Sequence, residues 1–370
     1  MQKLKDFFNL PLVRLLLLIT FLYLFLVSIG LMGSAMKMFG KGFAESLITN
    51  TNNPVVGLFI GILATSLVQS SSTTTSIVVG LVGTILPDGT PVLTISNAIP
   101  IIMGANIGTS VTNTLVSLAH VNRSVEFRRS FAASTVHDFF NFFAVIVIFP
   151  LQYFFNFLGR LASSLGEIFQ NAGGITFFNP LKAATKPAVK YVIEIVGEYP
   201  AAILIVAIIL LFISLKQIVE ALRILVVQKT ERWFDKVLFK NAARAFTVGL
   251  LLTIFAQSSS ITTSLIVPMA GAGILTLTQI FPYTLGANIG TTFTAILASL
   301  ATGSINAVIV AFAHLLFNIS GILSVYPIKI LPIKAAQKIA EYAVNRKIIP
   351  LLYILFMFFL VPIMIIILFR

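Results

Sequence analysis

Two short runs dense in hydroxyl and amide side chains carry the chemistry of this chain. They are Gln69-Ser70-Ser71-Ser72-Thr73-Thr74-Thr75-Ser76 and Gln257-Ser258-Ser259-Ser260-Ile261-Thr262-Thr263-Ser264. Such groups donate and accept hydrogen bonds without a fixed charge. Each run sits in the middle of an apolar stretch, residues 54–86 and 245–275. A lone Ser in an apolar helix normally bonds back to the carbonyl one turn earlier. A block this dense, present twice, calls for a ligand. Asn106 and Asn288, each inside a Gly-Ala-Asn-Ile-Gly-Thr segment, add amides flanked by glycine, a pattern that predicts a broken helix. Asp138 is the only acidic residue between positions 131 and 165. A carboxylate at membrane depth is a cation ligand by default, with a nearby Arg or His137 as the competing structural partner.

The elements that hold these residues follow from composition. Of 370 residues, 58% are hydrophobic and 10% charged, where a soluble domain would carry about 25% charge. With no cysteine and three histidines (His120, His137, His314), disulfide scaffolds, thiol chemistry and an imidazole metal cluster are excluded. The net charge of +13 comes from Lys and Arg between the apolar tracts, which sets topology and does not build a nucleic-acid surface. Seven spans are expected at 15–31, 92–119, 131–158, 201–227, 277–301, 305–326 and 348–369. The first is longer than a signal-peptide core, and no A-x-A site follows it. Residues 1–13 and 333–344 mix apolar and basic side chains at helical spacing and predict interfacial segments.

The stretches at 54–86 and 245–275 do not read as simple spans. Each arm is about 11–15 residues, roughly 17–22 Å of helix, against a bilayer core of about 30 Å. Two such arms meeting at a polar tip form a re-entrant hairpin, whose tip backbone must face protein or a wet cavity.

The chain repeats itself. Residues 69–78 match 257–266 at 7 of 10 positions, and 104–119 match 286–301 at 11 of 16. His137 and Asn141 recur as His314 and Asn318, and the offsets run 188, 182 and 177. The expected architecture is all-α and membrane-integral, with two repeats of span, hairpin, broken span and span. Residues 1–160 form repeat 1 with its hairpin at 54–86, 161–200 an extracellular loop, 201–328 repeat 2 with its hairpin at 245–275, and 329–370 an interfacial segment and last span. An N-terminus in the cytoplasm places 18 Lys/Arg inside and 7 outside. Hairpin 1 then enters from outside and hairpin 2 from inside, so the repeats are inverted, the signature of a secondary transporter with a midplane site.

Helix N-termini at the tips favour an anion, and unwound carbonyls favour Na⁺. Neither core repeat carries Lys or Arg near mid-depth, which predicts an anion co-bound with a cation in place of an Arg-clamped exchanger. His137 and His314 read as helix-packing donors, and Gly57-x-x-x-Gly61 as a packing motif.

The motifs QSSSTTTSIV, GANIGTSVTNT, EFRRSF, TVHDFFN, QSSSITTSLI, GANIGTT and HLLFNISGIL together resemble the type II sodium–phosphate cotransporters, over residues 56–326. The resemblance implies Na⁺-driven uptake of inorganic phosphate across a bacterial-type plasma (inner) membrane, with no organic cofactor and no nucleic-acid partner. By resemblance, Gln257, Ser258, Thr291, Thr294, Asp138, Asn141 and Gln69 match Na⁺ positions. The tips Gln69–Ser72 and Gln257–Ser260 converge on phosphate, so Gln69, Ser70, Ser71, Ser72, Asn106, Thr109, Ser258, Ser259, Ser260 and Asn288 form the phosphate set. The acid at 138 is similar to that of electrogenic members. His120 stands where many members carry Gln at a Na⁺ position. A carrier of another oxyanion, such as sulfate or a dicarboxylate, and an anion channel are the alternatives. An enzyme is disfavoured, because no local motif supplies a base to the serines.

Overall fold

A computed structural model describes residues 11–226 and 239–369. Every regular element named among them is helical, with one isolated bridge between Ile85 and Pro91. Among the described residues, seven helices are long and apolar enough to cross a membrane: Leu15–Phe39, Ile95–His120, Ser124–Phe155, Pro200–Ile218, Leu277–Thr302, Ile305–Ile328 and Ile349–Phe369. They coincide with the seven expected spans. The basic residues at 3, 5, 229, 232, 236 and 370, and the interfacial reading of residues 1–10, lie outside the described residues.

Helix α1 (Pro11–Phe39) is followed by α2 (Lys41–Asn50), which meets the first hairpin arm at 100°. Pro54 at the first position of that arm and an Asn53 cap, whose Oδ1 accepts from Val55 N at 3.0 Å, fix the corner. The hairpin is α3 (Pro54–Val68) and α4 (Ser71–Gly83). Its counterpart is α11 (Ala242–Ala256) and α12 (Ser259–Gly271), with the same arm lengths of 15 and 13 residues. Arms this short reach about 20–22 Å, less than the roughly 30 Å of a bilayer core.

Between the hairpins come α5 (Ile95–Gly108), α6 (Val111–Ser117), α7 (Ser124–Phe155), α8 (Phe157–Asn171), α9 (Gly174–Val196) and α10 (Pro200–Val226). After them run α13 (Leu277–Thr302), α14 (Ile305–Val325), α15 (Ile330–Asn345), α16 (Ile349–Leu355) and α17 (Val361–Phe369). The segment 161–200, expected as a connecting loop, is helical. Gly166 of α8 lies against Ile309, and the Tyr23 hydroxyl of α1 donates to the Ala184 carbonyl of α9 at 3.1 Å.

Close packing explains the glycines. Helix α3 runs along α5, and a Cβ on Gly61 would land on the Ile101 carbonyl, one on Gly104 on the Leu58 carbonyl. The repeat copies this crossing: a Cβ on Gly249 would meet the Tyr283 carbonyl, one on Gly286 the Phe246 carbonyl. Glycine therefore brings the two backbones into contact. The break expected at the Gly-Ala-Asn-Ile-Gly-Thr segments is present in repeat 1 and absent in repeat 2. In repeat 1 the helix turns aside only after Gly108, at Thr109 and Ser110, where Ser260 Oγ donates to the Thr109 carbonyl at 3.3 Å. In repeat 2, α13 is continuous through Asn288. There the hydroxyl of Ser72, mate of Ser260, goes to the Gln257 carbonyl at 3.2 Å, so α13 receives no such outside donor.

The polar-lined spans are central and the apolar ones peripheral. Buried residues make up 78% of the Ile95–His120 and Leu277–Thr302 windows but 22% of the Ile349–Phe369 window. One apolar core gathers Leu58, Met103, Phe140, Phe281 and Phe317; a second gathers Phe25, Val79, Ile102, Leu211 and Val310. Large apolar side chains such as Phe154, Leu323 and Ile367 point outward, as lipid requires. The second arm of each hairpin packs on spans of the other repeat: α4 on α13 and α14, α12 on α6 and α7. That crossing brings the two tips together.

Candidate functional site

Each tip is built the same way. Gln69 (φ 55°) and Gln257 (φ 50°) end the first arms in the left-handed region, where among described non-glycine residues only Asn156 joins them. Ser70 and Ser258 follow in extended conformation and cap the second arms. Ser70 Oγ accepts from Thr73 N at 3.2 Å, and Ser258 Oγ from Ile261 N at 3.3 Å. The first backbone bonds onto the cap carbonyls come from Thr74 and Thr262. The amides of Ser71, Ser72, Ser259 and Ser260 thus have no acceptor within their helices, and they sit at the positive ends of two helix dipoles. Two such ends, with hydroxyls and no nearby Lys or Arg, make a cradle for an oxyanion.

The tips are tied across the repeats. Ser72 Oγ donates to the Gln257 carbonyl and Ser260 Oγ to the Thr109 carbonyl. Asn113 Nδ2 donates to Thr263 Oγ1 at 2.7 Å, while Ser264 Oγ donates to Asn113 Oδ1 at 3.0 Å. Tyr283, fully buried, donates its hydroxyl to the Thr262 carbonyl at 2.9 Å.

Beside the tips lies a buried amide network. Asn288 Nδ2 donates to Asn141 Oδ1 at 2.9 Å, and Asn141 Nδ2 donates to the Asn106 carbonyl at 2.8 Å. His137 Nε2 bonds Asn288 Oδ1, and His314 Nε2 lies 3.4 Å from Asn106 Oδ1. Each histidine therefore reaches the asparagine of the other repeat, which extends the reading of the histidines as packing donors. Thr294 Oγ1 donates to Gln257 Oε1 at 2.7 Å, and Thr291 Oγ1 to the Ala287 carbonyl at 3.0 Å. Thr109 Oγ1 likewise bonds back, to the Ala105 carbonyl.

The structure does not bring every expected residue in. The Gln69 side chain is exposed and bonds nothing among the described residues, while Gln257 is buried. Asp138 is fully buried, yet it joins neither an Arg nor His137, the two structural partners its sequence context suggested. Its Oδ2 accepts from the Tyr353 hydroxyl at 2.8 Å, a contact from the last span. Ser110 lies beside the same carboxyl with its own hydroxyl committed to the Ile107 carbonyl, and Oδ1 has no partner among the described residues. A carboxylate oxygen with the Ser110 hydroxyl beside it is the kind of oxygen donor a hard cation prefers. Among the described residues no three His, Asp or Glu side chains gather as for a multivalent metal.

Tyr353 and Asn113 were not legible as site residues. Tyr353 reads as an ordinary interfacial tyrosine near a basic loop, and Asn113 as one more small polar side chain in a span. The signal that could have found them is demand: a buried carboxylate needs a donor, and a hydroxyl-rich helix needs an amide across from it.

The chain matches the family model described as Na⁺/Pi-cotransporter over residues 24–177 and 210–326. It is 33% identical to sodium-dependent phosphate transport protein 2B of Homo sapiens, over 94% of this chain and 64% of that protein. With sodium-dependent phosphate transport protein 2A of Oryctolagus cuniculus it shares 34% identity, over 95% of this chain and 66% of that protein. The chain thus spans just under two thirds of the length of these relatives. No solved structure matches it.

Proposed function

The chain belongs to the Na⁺/Pi-cotransporter family, and on that footing we propose that it is a secondary active transporter importing inorganic phosphate on the Na⁺ gradient. The observation that carries this reading is the pair of convergent hairpin tips. Two helix N-termini with free amides and serine hydroxyls face one region that holds no Lys or Arg. An anion there lacks a fixed counter-charge, and a co-bound cation supplies it.

Ser70, Ser71, Ser72, Ser258, Ser259 and Ser260 bind phosphate through amides and hydroxyls, with Gln69, Asn106, Thr109 and Asn288 around them. Gln257, Ser258, Thr291, Thr294, Asn141 and Asp138 supply oxygens to Na⁺, and Gln69 joins them when it turns inward. Asp138 holds a Na⁺ beyond those that balance the phosphate charge, so the cargo is net positive and net charge crosses with each cycle. Inverted repeats then expose the site alternately to the two faces of a bacterial-type plasma membrane, with the N-terminus cytoplasmic.

The test is radiolabelled phosphate uptake into proteoliposomes under an inward Na⁺ gradient, against matched K⁺. Gln257→Ala abolishes the Na⁺-dependent accumulation, because it removes the Thr294 partner and a Na⁺ oxygen. Asp138→Asn reduces the charge moved per phosphate, read as current on a supported membrane. Equal uptake in K⁺, equilibration without accumulation, or full competition by sulfate would overturn the reading.

A further inference from the structure

The repeats are alike in sequence but not in bonding. Thr294 donates to Gln257 Oε1, whereas their mates Thr112 and Gln69, offset by 182 and 188 residues, do not meet. Thr112 Oγ1 is buried without a partner among the described residues, and Gln69 is exposed. Asn288 Nδ2 donates to Asn141 Oδ1, whereas in the mates Asn106 Nδ2 and Asn318 Oδ1 are both buried and unpartnered. Asn318 Nδ2 instead turns to the His314 carbonyl at 3.2 Å. Two bonds are closed on one side of the pseudo-symmetry, and the same two are open on the other.

A buried amide hydrogen and an amide oxygen left unpaired are costly, and the missing donor–acceptor pair is the one the mates display. We propose that Thr112 and Asn318 are positioning residues for the transport cycle. In the opposite-facing state Thr112 donates to Gln69 Oε1 and Asn106 donates to Asn318 Oδ1, while Thr294–Gln257 and Asn288–Asn141 part. The two repeats exchange latches. Because the bonds made equal in kind the bonds broken, neither state is greatly favoured, as a carrier that must return empty requires. The exchange also couples state to cargo, since Gln257, Asn141 and Asn106 are proposed ligands that sit at the latches. This inference rests on the transporter reading for its purpose, but its test does not.

The full chain contains no cysteine, so single cysteines need no altered background. Ser76 and Ser264 are repeat mates on the second hairpin arms, the first fully buried and the second half-buried. The variants Ser76→Cys and Ser264→Cys are labelled with a hydrophilic maleimide in nanodiscs, where both faces are open to reagent. Thr112→Val, added to each, removes a latch of the opposite state only. It raises the ratio of labelling rates, position 264 over position 76, about fivefold, the effect of one ordinary hydrogen bond on a two-state equilibrium. Asn318→Ala moves the ratio in the same direction, and combining it with Thr112→Val moves it further. Thr112→Ser, which keeps the hydroxyl, stays at the ratio found without it. In uptake assays Thr112→Val lowers turnover and leaves the phosphate KM in place. A ratio that is unmoved or lowered in Thr112→Val, both rates rising together, or Thr112→Ser behaving like Thr112→Val would overturn the proposal. If Asn318→Ala fails to fold, the Thr112 pair decides. Absence of Na⁺-dependent uptake in the unmodified chain would sink the transporter reading and leave the labelling result standing.

Discussion

The hydroxyl of Tyr353 donates to Asp138 Oδ2 at 2.8 Å, across 215 residues of sequence. This bond joins the last span, otherwise peripheral and apolar, to the carboxylate nearest the amide network. It leaves Oδ1 of Asp138 without a partner among the described residues and without a basic residue to neutralise it. Tyr353 therefore orients one carboxylate oxygen and presents the other.

Tyr353→Phe tests that orientation. A hydrogen bond to a charged group contributes about 1.5–3 kcal/mol, and its loss leaves a buried carboxylate with no donor. Thermal unfolding of the purified variant should drop clearly in K⁺ buffer. In Na⁺ buffer the drop should be smaller, because a cation at Asp138 replaces the lost donor. Equal drops in the two buffers would separate Asp138 from Na⁺ binding.

The glycine crossing of α3 and α5 gives a second expectation. Gly61→Ala places a methyl group on the Ile101 carbonyl, and neither backbone can retreat without unpacking the hairpin. Overpacking of this kind costs about 1–3 kcal/mol or more. Gly42→Ala meets nothing within 4 Å and should be neutral or slightly stabilising. Size-exclusion profiles and melting temperatures of the two variants should diverge, with Gly61→Ala lost to aggregation first.

Gln69 gives a third, with opposite signs for stability and function. Its backbone is left-handed at φ 55°, which costs a non-glycine residue roughly 1–2 kcal/mol, and its exposed side chain makes no bond among the described residues. Gln69→Gly should raise the melting temperature while slowing phosphate uptake, since the amide is needed in the opposite-facing state. A variant both more stable and fully active would show that the Gln69 side chain has no part in the cycle.

Much of this architecture was readable from periodicity and repetition. A span needs a long apolar run, and all seven runs are uninterrupted enough to see, because lipid tolerates no exposed polar backbone. The paired short helices were visible because each apolar stretch is interrupted by a polar run that leaves its arms too short for a span. The duplication named Gln69 with Gln257, Asn106 with Asn288 and Asn141 with Asn318 as equivalent pairs. What equivalence could not reveal is how each pair is used. Equivalence in sequence does not impose equal bonding, so Gln257 is buried against Thr294 while Gln69 is exposed. The glycines beside Asn288 read as a break because sequence shows local flexibility but not the neighbouring helix they let approach.

Sequence alone determined that this chain lies in a membrane, that it is a duplicated unit, and that its two densest polar runs are uncharged hydroxyls and amides. Each of these is a property of local composition and spacing. Tertiary structure alone decided that Asp138 answers to Tyr353, that each histidine serves the other repeat's asparagine, and that the two halves differ in their closed bonds. Those are choices among donors of equal chemistry far apart in the chain, and only packing determines which of them come within hydrogen-bonding reach.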